Sequence, residues 1–263
     1  MFQPFIQIAL LAAATAAPTA TAPASAPKLV TAPIQDAAAP VEPKWTGNIS
    51  AGFVMTDGNS EMRQANASAD ATLKREKDQF TLGFLWVYAE NNNPPNNDWT
   101  LTDRRTFGRG KYDYFFAKET YAYGMLTAEN DYLQTIALRW NAGTGLGHQF
   151  VDTDTWKFAL EAGMSYIDTD YKFGTDTEDI TVRLATNTTH RASDTWSFNH
   201  LLEMYPSVED TEDVYGRSQF TADAKLSENM IMTLKWVMDY DNTPVSGAER
   251  VDNRYLLSVG WKF

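Results

Sequence analysis

The chain has 263 residues, of which 43% are hydrophobic, and it carries a formal net charge of −12 and no cysteine. The lack of cysteine excludes disulfides, thiolate metal sites and cysteine nucleophiles. A chain of this charge, with its Lys and Arg residues scattered, would repel phosphate, so we expect no nucleic-acid partner. No apolar run approaches the roughly 20 residues that a transmembrane helix needs.

The first 44 residues are predicted to lie outside the fold. The apolar stretch from Phe5 to Ala17 contains the small residues Ala14, Thr15 and Ala16, a pattern typical of an export signal, and we predict a signal peptide over residues 1–16. Residues 17–44 are rich in Ala, Pro and Thr. Such a segment buries too little apolar surface to offset its ordering entropy, which predicts a disordered linker.

From Trp45 onwards, apolar and polar residues alternate with a period of two. In the last run, Tyr255, Leu257 and Val259 share one face, whereas Leu256 and Ser258 share the other. Successive side chains of a strand point to opposite sides, so this period predicts strands and not helices. Turn signals separate twelve such runs, which begin near Trp45, Met62, Gln79, Thr102, Thr120, Tyr132, Trp156, Thr177, Thr195, Tyr215, Met230 and Asp252.

The connections between these runs fall into two classes. Those after strands 2, 4, 6, 8 and 10 are tight, whereas most of those after odd strands are longer and more polar, with a short exception near Asn130 and Asp131. Short turns on one rim and long loops on the other are typical of a transmembrane β-barrel, whose short turns face the periplasm. A soluble β-sandwich also alternates, but its strands usually have about 5 to 6 residues, and most runs here have 10 or more. We therefore predict an all-β, up-and-down antiparallel transmembrane barrel of about 12 strands over residues 45–263, with an apolar exterior and a polar interior.

The charged residues of these runs fall on the face opposite the apolar one. Arg or Lys that faces lipid costs about 2 to 4 kcal/mol at the midplane, so the charges are expected to point into the barrel. Asp70, Lys74 and Lys225 belong to this face. The candidate lumen-lining residues are Arg109, Lys111, Asp113, Arg139, Lys157, Glu161, Arg183, Glu203, Arg217, Asp223, Lys235, Asp239 and Arg254.

Four segments resemble those of a known bacterial family. They are Thr56-Asp57-Gly58-Asn59-Ser60, Arg109-Gly110-Lys111-Tyr112-Asp113-Tyr114-Phe115-Phe116, Gly143-Thr144-Gly145-Leu146-Gly147-His148 and the ending Trp261-Lys262-Phe263. In this order and spacing the chain, from Trp45 to Phe263, is similar to the domain of unknown function 481 family, which includes proteins described as salt-induced outer-membrane proteins. The resemblance implies an outer-membrane location and no established activity, and it supplies no catalytic residues.

Two chemical alternatives are weaker than the barrel interpretation. An enzyme would have to use His148, His190 or His200, but the adjacent Asn199 and His200 point to opposite faces of a strand, which does not make a catalytic pair. The acidic runs 176–179 and 209–213 offer oxygen ligands for Ca²⁺ or Mg²⁺, although neither has the spacing of a calcium loop. We expect no enzyme, no cofactor and no dedicated metal site, while divalent bridging to lipopolysaccharide stays open.

The sequence therefore predicts an exported, monomeric barrel in the outer membrane of a Gram-negative bacterium, in contact with lipid and lipopolysaccharide. The last strand, ending at Phe263, would engage the barrel-assembly machinery. Twelve strands lie between the eight that side chains fill and the 16 to 18 that leave an open channel. Two functions remain: a narrow passive channel for ions or small polar solutes, linked to salt or envelope stress, or a non-conducting envelope protein whose acidic loops bind cations or partners.

Overall fold

A computed structural model describes residues 43–58, 61–92, 98–245 and 247–263. The expected signal peptide (1–16) and the expected linker (17–44), apart from its last two residues, lie outside these ranges. The described residues form twelve strands: β1 (Trp45–Thr56), β2 (Glu61–Lys74), β3 (Asp78–Asn92), β4 (Trp99–Phe115), β5 (Thr120–Asp131), β6 (Ile136–Asp152), β7 (Trp156–Tyr171), β8 (Thr177–Arg191), β9 (Trp196–Pro206), β10 (Val214–Lys225), β11 (Met230–Asp241) and β12 (Val251–Lys262).

Each strand pairs antiparallel with the next, and β1 pairs with β12 to close a barrel. The predicted fold, an up-and-down antiparallel barrel of twelve strands, is confirmed. Closure gives every strand a hydrogen-bonded neighbour on both sides, which is the condition for crossing hydrocarbon with strands. Among the described residues, no helix is long and apolar enough to cross a bilayer.

Eleven of the twelve predicted strand starts lie within three residues of the observed ones, and the sixth is wrong. β5 continues to Asp131, and β6 begins at Ile136 instead of near Tyr132. The Asp131 carboxylate accepts hydrogen bonds from the backbone N–H groups of Leu133 (3.0 Å) and Gln134 (3.4 Å), an arrangement that stabilises a turn. Thr135 then adopts a left-handed φ of 57°. Tyr132 and Leu133 favour strands in sequence, but this local turn overrides their preference.

The two faces of the wall differ as the alternation predicts. On β11 and β12, Leu234 and Leu257 are about half exposed on the outer surface (49% and 52%), whereas their neighbours Lys235 and Leu256 point inward and are buried. The interior is not uniformly polar, because Leu85, Val87, Val237 and Leu256 form an apolar cluster there, against Phe107. The outer face is therefore suited to lipid, and the inner face carries the charges.

The two rims differ in the length of their connections. The turn rim is formed by residues 75–77, 116–119, 153–155, 192–195 and 226–229, each of three or four residues. At the other rim, the loop rim, successive strands are separated by four to nine residues along the chain, of which the structure describes 57–58, 98, 132–135, 172–176, 207–213, 242–245 and 247–250. Both ends of the barrel chain, at β1 and β12, lie at the turn rim, so this rim is predicted to face the periplasm.

The glycines of β6 make room for tyrosines of β5. Gly145 lies directly opposite Gly163 of β7, and a Cβ atom on Gly145 would approach the Ala162 carbonyl oxygen to 2.3 Å and the Tyr123 hydroxyl to 2.8 Å. A Cβ on Gly147 would be equally close to the Tyr121 ring. The glycine-rich segment from Gly143 to Gly147 is therefore needed so that two inward-pointing tyrosines can lie against the wall.

The seam that closes the barrel is short. β1 and β12 share four residue pairs, from Asn48–Lys262 to Ala51–Val259, whereas other neighbouring strands share eight or more. Beyond Ala51, the Asn66 side chain of β2 donates a hydrogen bond to the Leu257 carbonyl oxygen of β12 (3.3 Å). The half of the seam nearer the loop rim is thus held by a side chain in place of a backbone ladder.

The assignment of outer and inner faces can be tested on adjacent residues of β11. Leu234→Arg places a charge in lipid and is expected to lower the free energy of unfolding from vesicles by about 2 to 4 kcal/mol. Lys235→Ala removes an interior ammonium 3.6 Å from the half-exposed Asp70 and is expected to cost less than about 1 kcal/mol. Equal costs in urea titrations would contradict the assigned faces.

The glycine contact can be tested with the smallest side chain. Gly145→Ala forces the β6 and β7 backbones apart, because the nearest atoms to the new Cβ are backbone atoms. We expect it to cost at least about 1 kcal/mol of stability. Gly124→Ala is the control, since a Cβ there meets nothing within 4 Å; a similar loss in both variants would show that the contact is not specific.

Candidate functional site

The charged residues predicted to line the lumen lie inside the barrel wall. Arg109 and Lys111 make ion pairs there, and Lys157 and Asp223 line an interior cavity. The other nine are buried: Asp113, Arg139, Glu161, Arg183, Glu203, Arg217, Lys235, Asp239 and Arg254. The inward face of the sheet thus brings most of them within reach of one another across the lumen.

Six of these charges form a network that we call the turn-side layer: Arg109, Lys111, Asp113, Glu161, Arg183 and Glu203. Arg183 donates to Glu161 and to Glu203, both at 2.7 Å. Arg109 binds both carboxylate oxygens of Glu203 (3.0 and 3.2 Å). Lys111 donates to Glu161 and Asp113 at 2.5 Å. The layer contains three cations and three anions, so its formal charge is zero.

A second network, the loop-side layer, lies nearer the loop rim and contains Asp103, Arg105, Glu129, Asp131, Arg139, Arg217, Asp239 and Arg254. Arg105 donates to Asp239 (2.5 Å) and Glu129 (2.7 Å), and Arg217 binds the same two carboxylates, both at 2.7 Å. Arg254 donates to Asp131 (2.7 Å) and Asp103 (2.9 Å). Four arginines face four carboxylates, so this layer is also neutral.

Four members of the loop-side layer were not among the predicted residues: Asp103, Arg105, Glu129 and Asp131. The face of β4 is ambiguous in sequence because Arg104 and Arg105 are adjacent, and a β-bulge at Ala89 and Glu90 of β3 shifts the register there. Counting back in steps of two from Lys111 would have reached Arg105. The same count along β5 from Tyr121 would have reached Glu129.

Tyrosines brace the turn-side layer from β5. The Tyr121 hydroxyl donates to Glu161 (2.7 Å), and the Arg183 guanidinium lies 4.9 Å from the centre of the Tyr123 ring. The Lys111 ammonium lies about 5 Å from both rings, within the range of cation–π attraction. Because Gly145 and Gly147 make room for these rings, the glycine segment determines where the charged layer sits.

The space inside the barrel is divided by the two layers. On the turn side lies a cavity of about 520 Å³, which we call the chamber and which extends to Lys74, Gln79 and Lys157 at the turn rim. A pocket of only about 10 Å³ lies where the two layers meet, beside Glu129 and Glu203. A pocket of about 70 Å³ lies beside Arg139 at the loop rim. In this structure the lumen is therefore closed in its middle by ion pairs.

The alternative chemical sites are not assembled. Asn199 points inward and donates to Asn187 and Thr189, whereas His200, on the outer wall, lies 2.9 Å from the Ser218 hydroxyl. His190 stacks on Trp156 with ring centres 4.0 Å apart, as expected of an interfacial aromatic. Within the described part of the chain, no group of three or more His, Cys, Asp or Glu residues is arranged to hold a metal ion.

A closed barrel with an apolar outer face and an ion-paired interior defines a transmembrane β-barrel protein. The family model described as "Protein of unknown function, DUF481" matches residues 49–263. The chain belongs to this family, which confirms the resemblance found in its sequence segments. No match was found among curated proteins.

Solved structures similar to the chain include bacterial barrels. A NanC porin superposes with a TM-score of 0.48 at 9% identity and covers 82% of this chain and 100% of its own. A KdgM porin in complex with disordered oligogalacturonate gives a TM-score of 0.41 at 11% identity, and the match covers 84% of this chain and 99% of the porin. The outer membrane channel DcaP of Acinetobacter baumannii gives a TM-score of 0.41 at 10% identity, and the match covers 84% of this chain and 96% of the channel. These likenesses concern the fold alone.

The energetic role of the layers can be tested by removing one shared partner. Arg183 is fully buried between two carboxylates, so Arg183→Ala leaves Glu161 and Glu203 with less counter-charge and is expected to cost about 3 to 5 kcal/mol. Arg75→Ala breaks an exposed pair at the turn rim and is expected to cost at most about 1 kcal/mol. Equal losses of unfolding free energy in urea would show that the layer is not a buried network.

Proposed function

We propose that this chain is an integral outer-membrane β-barrel of a Gram-negative bacterium that forms a narrow passive channel for ions or small polar solutes, closed at rest by the two ion-paired layers. No enzymatic step and no cofactor are part of this proposal. The observation that carries it is the nature of the obstruction. The chamber occupies the turn side of the lumen, and among the described residues only side chains block the way beyond it.

The membrane location is supported by the dimensions and surface of the wall. The strands have 11 to 17 residues, more than the 9 to 11 that a tilted strand needs to span a bilayer. Trp45, Trp156 and Trp196 are exposed near the turn rim, where interfacial aromatics are expected. A water-soluble protein would not leave so many large apolar side chains uncovered.

Conduction is supported by the nature of the obstruction. Backbone segments of a plug must unfold to clear a lumen, whereas Arg and Glu side chains clear it by changing rotamers and partners. The Arg105 Nε group and the Asp131 Oδ2 atom are buried without a hydrogen-bond partner, 3.6 Å apart. A buried polar atom without a hydrogen bond is costly, so both atoms would gain from a rearrangement that gives them partners.

A second candidate function is a non-conducting envelope protein, and the closed layers are the observation that favours it. In that case the acidic loop rim, with residues 176–179 and 209–213, would bind cations, lipopolysaccharide or surface partners. A link to salt or envelope stress stays a prediction under either function. We also propose that the protein is a monomer and that the barrel-assembly machinery engages β12, where the closing seam is short.

Planar-bilayer conductance separates the two functions. Because the layers lie one after the other along the lumen, removing an ion pair from one of them is expected to change the current little, whereas removing a pair from both is expected to raise the current at least several-fold. The double variant Arg183→Ala with Glu203→Ala removes a pair from the turn-side layer, and Arg105→Ala with Asp239→Ala removes a pair from the loop-side layer. Each double variant removes one cation and one anion, so the net charge of the layer stays zero.

The control is Arg75→Ala with Asp78→Ala, which removes an ion pair at the turn rim outside the lumen. Heat-dependent electrophoretic mobility checks that each variant has refolded. Rare small openings of the unmodified protein, together with a large current in the fourfold variant, are the expected result. A folded fourfold variant that carries no current in several salts would remove the channel and leave the second function.

A further inference from the structure

We infer that the chamber is a binding site for a neutral polyhydroxylated solute of the size of a mono- or disaccharide. This inference deepens the proposed function, on which it rests for the passage of the solute, by naming the chemical class that the lumen would take up. The volume, the lining and the charge of the chamber point to this class of ligand.

The volume and closure of the chamber suit a small molecule. Its volume of about 520 Å³ lies within the roughly 300 to 1,000 Å³ of typical small-molecule pockets. At its inner end the chamber is bounded by Arg109, Lys111 and Glu161 of the turn-side layer and by Arg217 of the loop-side layer. A solute that enters from the turn rim would therefore stop against these side chains, with the barrel wall around it.

The lining is rich in amides, each of which offers both donors and an acceptor. Gln79 and Asn199 already bond to threonine hydroxyls in the wall. Asn48, Gln149 and Gln219 make no side-chain hydrogen bond to any described residue, so their capacity is left for a ligand. Sugar hydroxyls are likewise donors and acceptors, and they match such groups in either direction. The amides are those of Asn48, Gln79, Gln149, Asn187, Asn199 and Gln219.

Aromatic rings also form part of the chamber wall. The rings of Phe107, Phe115 and Tyr121 border the chamber. Pockets for organic ligands typically combine such surfaces with a few well-placed polar groups. The C–H faces of a sugar ring can pack on these rings while its hydroxyls reach the amides, which an inorganic ion could not do.

The charges of the chamber cancel. Six cations and five anions line it, and Asp152, which lies outside the lining, pairs with Lys157 at 2.5 Å and brings the sum to zero. Lys235 lies 3.6 Å from Asp70, and Arg109, Lys111 and Arg217 are held in the ion pairs of the two layers. A charged solute would have to compete with these pairs and would find no excess counter-charge, whereas a neutral polyol is not penalised. The lining therefore favours a neutral ligand over an acidic or a basic one.

The experiment is a saturation-transfer NMR titration of the refolded full chain in detergent, with sucrose and glucose as neutral probes and glucuronate and glucosamine as charged ones. Gly83→Phe fills the chamber, because Gly83 lines it and a Cβ there makes only ordinary contacts, 3.5 Å from the Asp70 carboxylate and 3.8 Å from the Arg109 Cβ. Gly108→Phe is the matched control. Gly108 lies on the adjacent strand, pairs with Phe84, and a Cβ there meets nothing within 4 Å.

We expect saturable binding of sucrose or glucose that weakens at least tenfold in Gly83→Phe and is unchanged in Gly108→Phe. Gln219→Leu, which removes one chamber amide, is expected to weaken binding about fivefold, as the loss of one hydrogen bond implies. Its control is Gln64→Leu, which changes a glutamine of β2 that does not line the chamber. Gln219→Leu, Gln64→Leu and Gly108→Phe change no member of either layer. Gly83→Phe places its ring beside Arg109 of the turn-side layer, so the loss of binding in Gln219→Leu is the one that a disturbed layer cannot explain.

Three outcomes would overturn the inference: no saturable binding of any probe, binding that Gly83→Phe leaves unchanged, or tighter binding of glucuronate or glucosamine than of glucose. The test of the proposed channel is independent of the test of the binding site. Sugar binding with no current in the fourfold layer variant would retain the site and remove the channel, whereas current without sugar binding would retain the channel and remove the site.

Discussion

The structure depends on the neutralisation of charge inside a closed wall. Once lipid faces one side of each strand, the ionised side chains at the depth of the hydrocarbon must point inward, where they lose water and need a counter-charge. The barrel meets this requirement with two layers, each formally neutral, in which Arg183 and Arg105 are shared between carboxylates of different strands. Replacing such pairs by apolar residues can be neutral for stability, but removing one partner is costly. The charged residues of the interior therefore depend on one another, and replacing one of them affects the partners that it shares.

The sequence predicted the faces of the strands better than it predicted their partners. The alternation alone places Leu234 on the outer face and Lys235 on the inner face, because successive side chains of a strand point to opposite sides and only apolar ones are stable against lipid. The ion pairs across the lumen, such as Arg105 with Asp239 and Arg254 with Asp103, join residues more than 130 positions apart. They depend on registry and on the curvature of the closed sheet, which a single sequence does not encode locally. The one misplaced strand, β6, follows a turn that a single carboxylate stabilises.

Two of the four segments that resemble the family, residues 109–116 and 143–148, have a common physical role in the interior. Arg109, Lys111 and Asp113 belong to the turn-side layer, and the glycines from Gly143 to Gly147 admit the tyrosines that brace it. In the fold the two segments act on the same carboxylate, Glu161, through Lys111 and Tyr121. The layer, with the chamber below it, is the part of the barrel that these segments define.

The closing seam makes the wall mechanically uneven. Between Gly52 and Thr56, β1 has no residue paired with β12, and the amide of Asn66 bridges to Leu257 instead. Unpaired backbone groups are expensive in hydrocarbon, so this stretch gains the least from staying closed. The cylinder is therefore held together by the fewest backbone bonds along this one line, and a barrel that unfolds in denaturant is expected to part there before it parts between any other two strands.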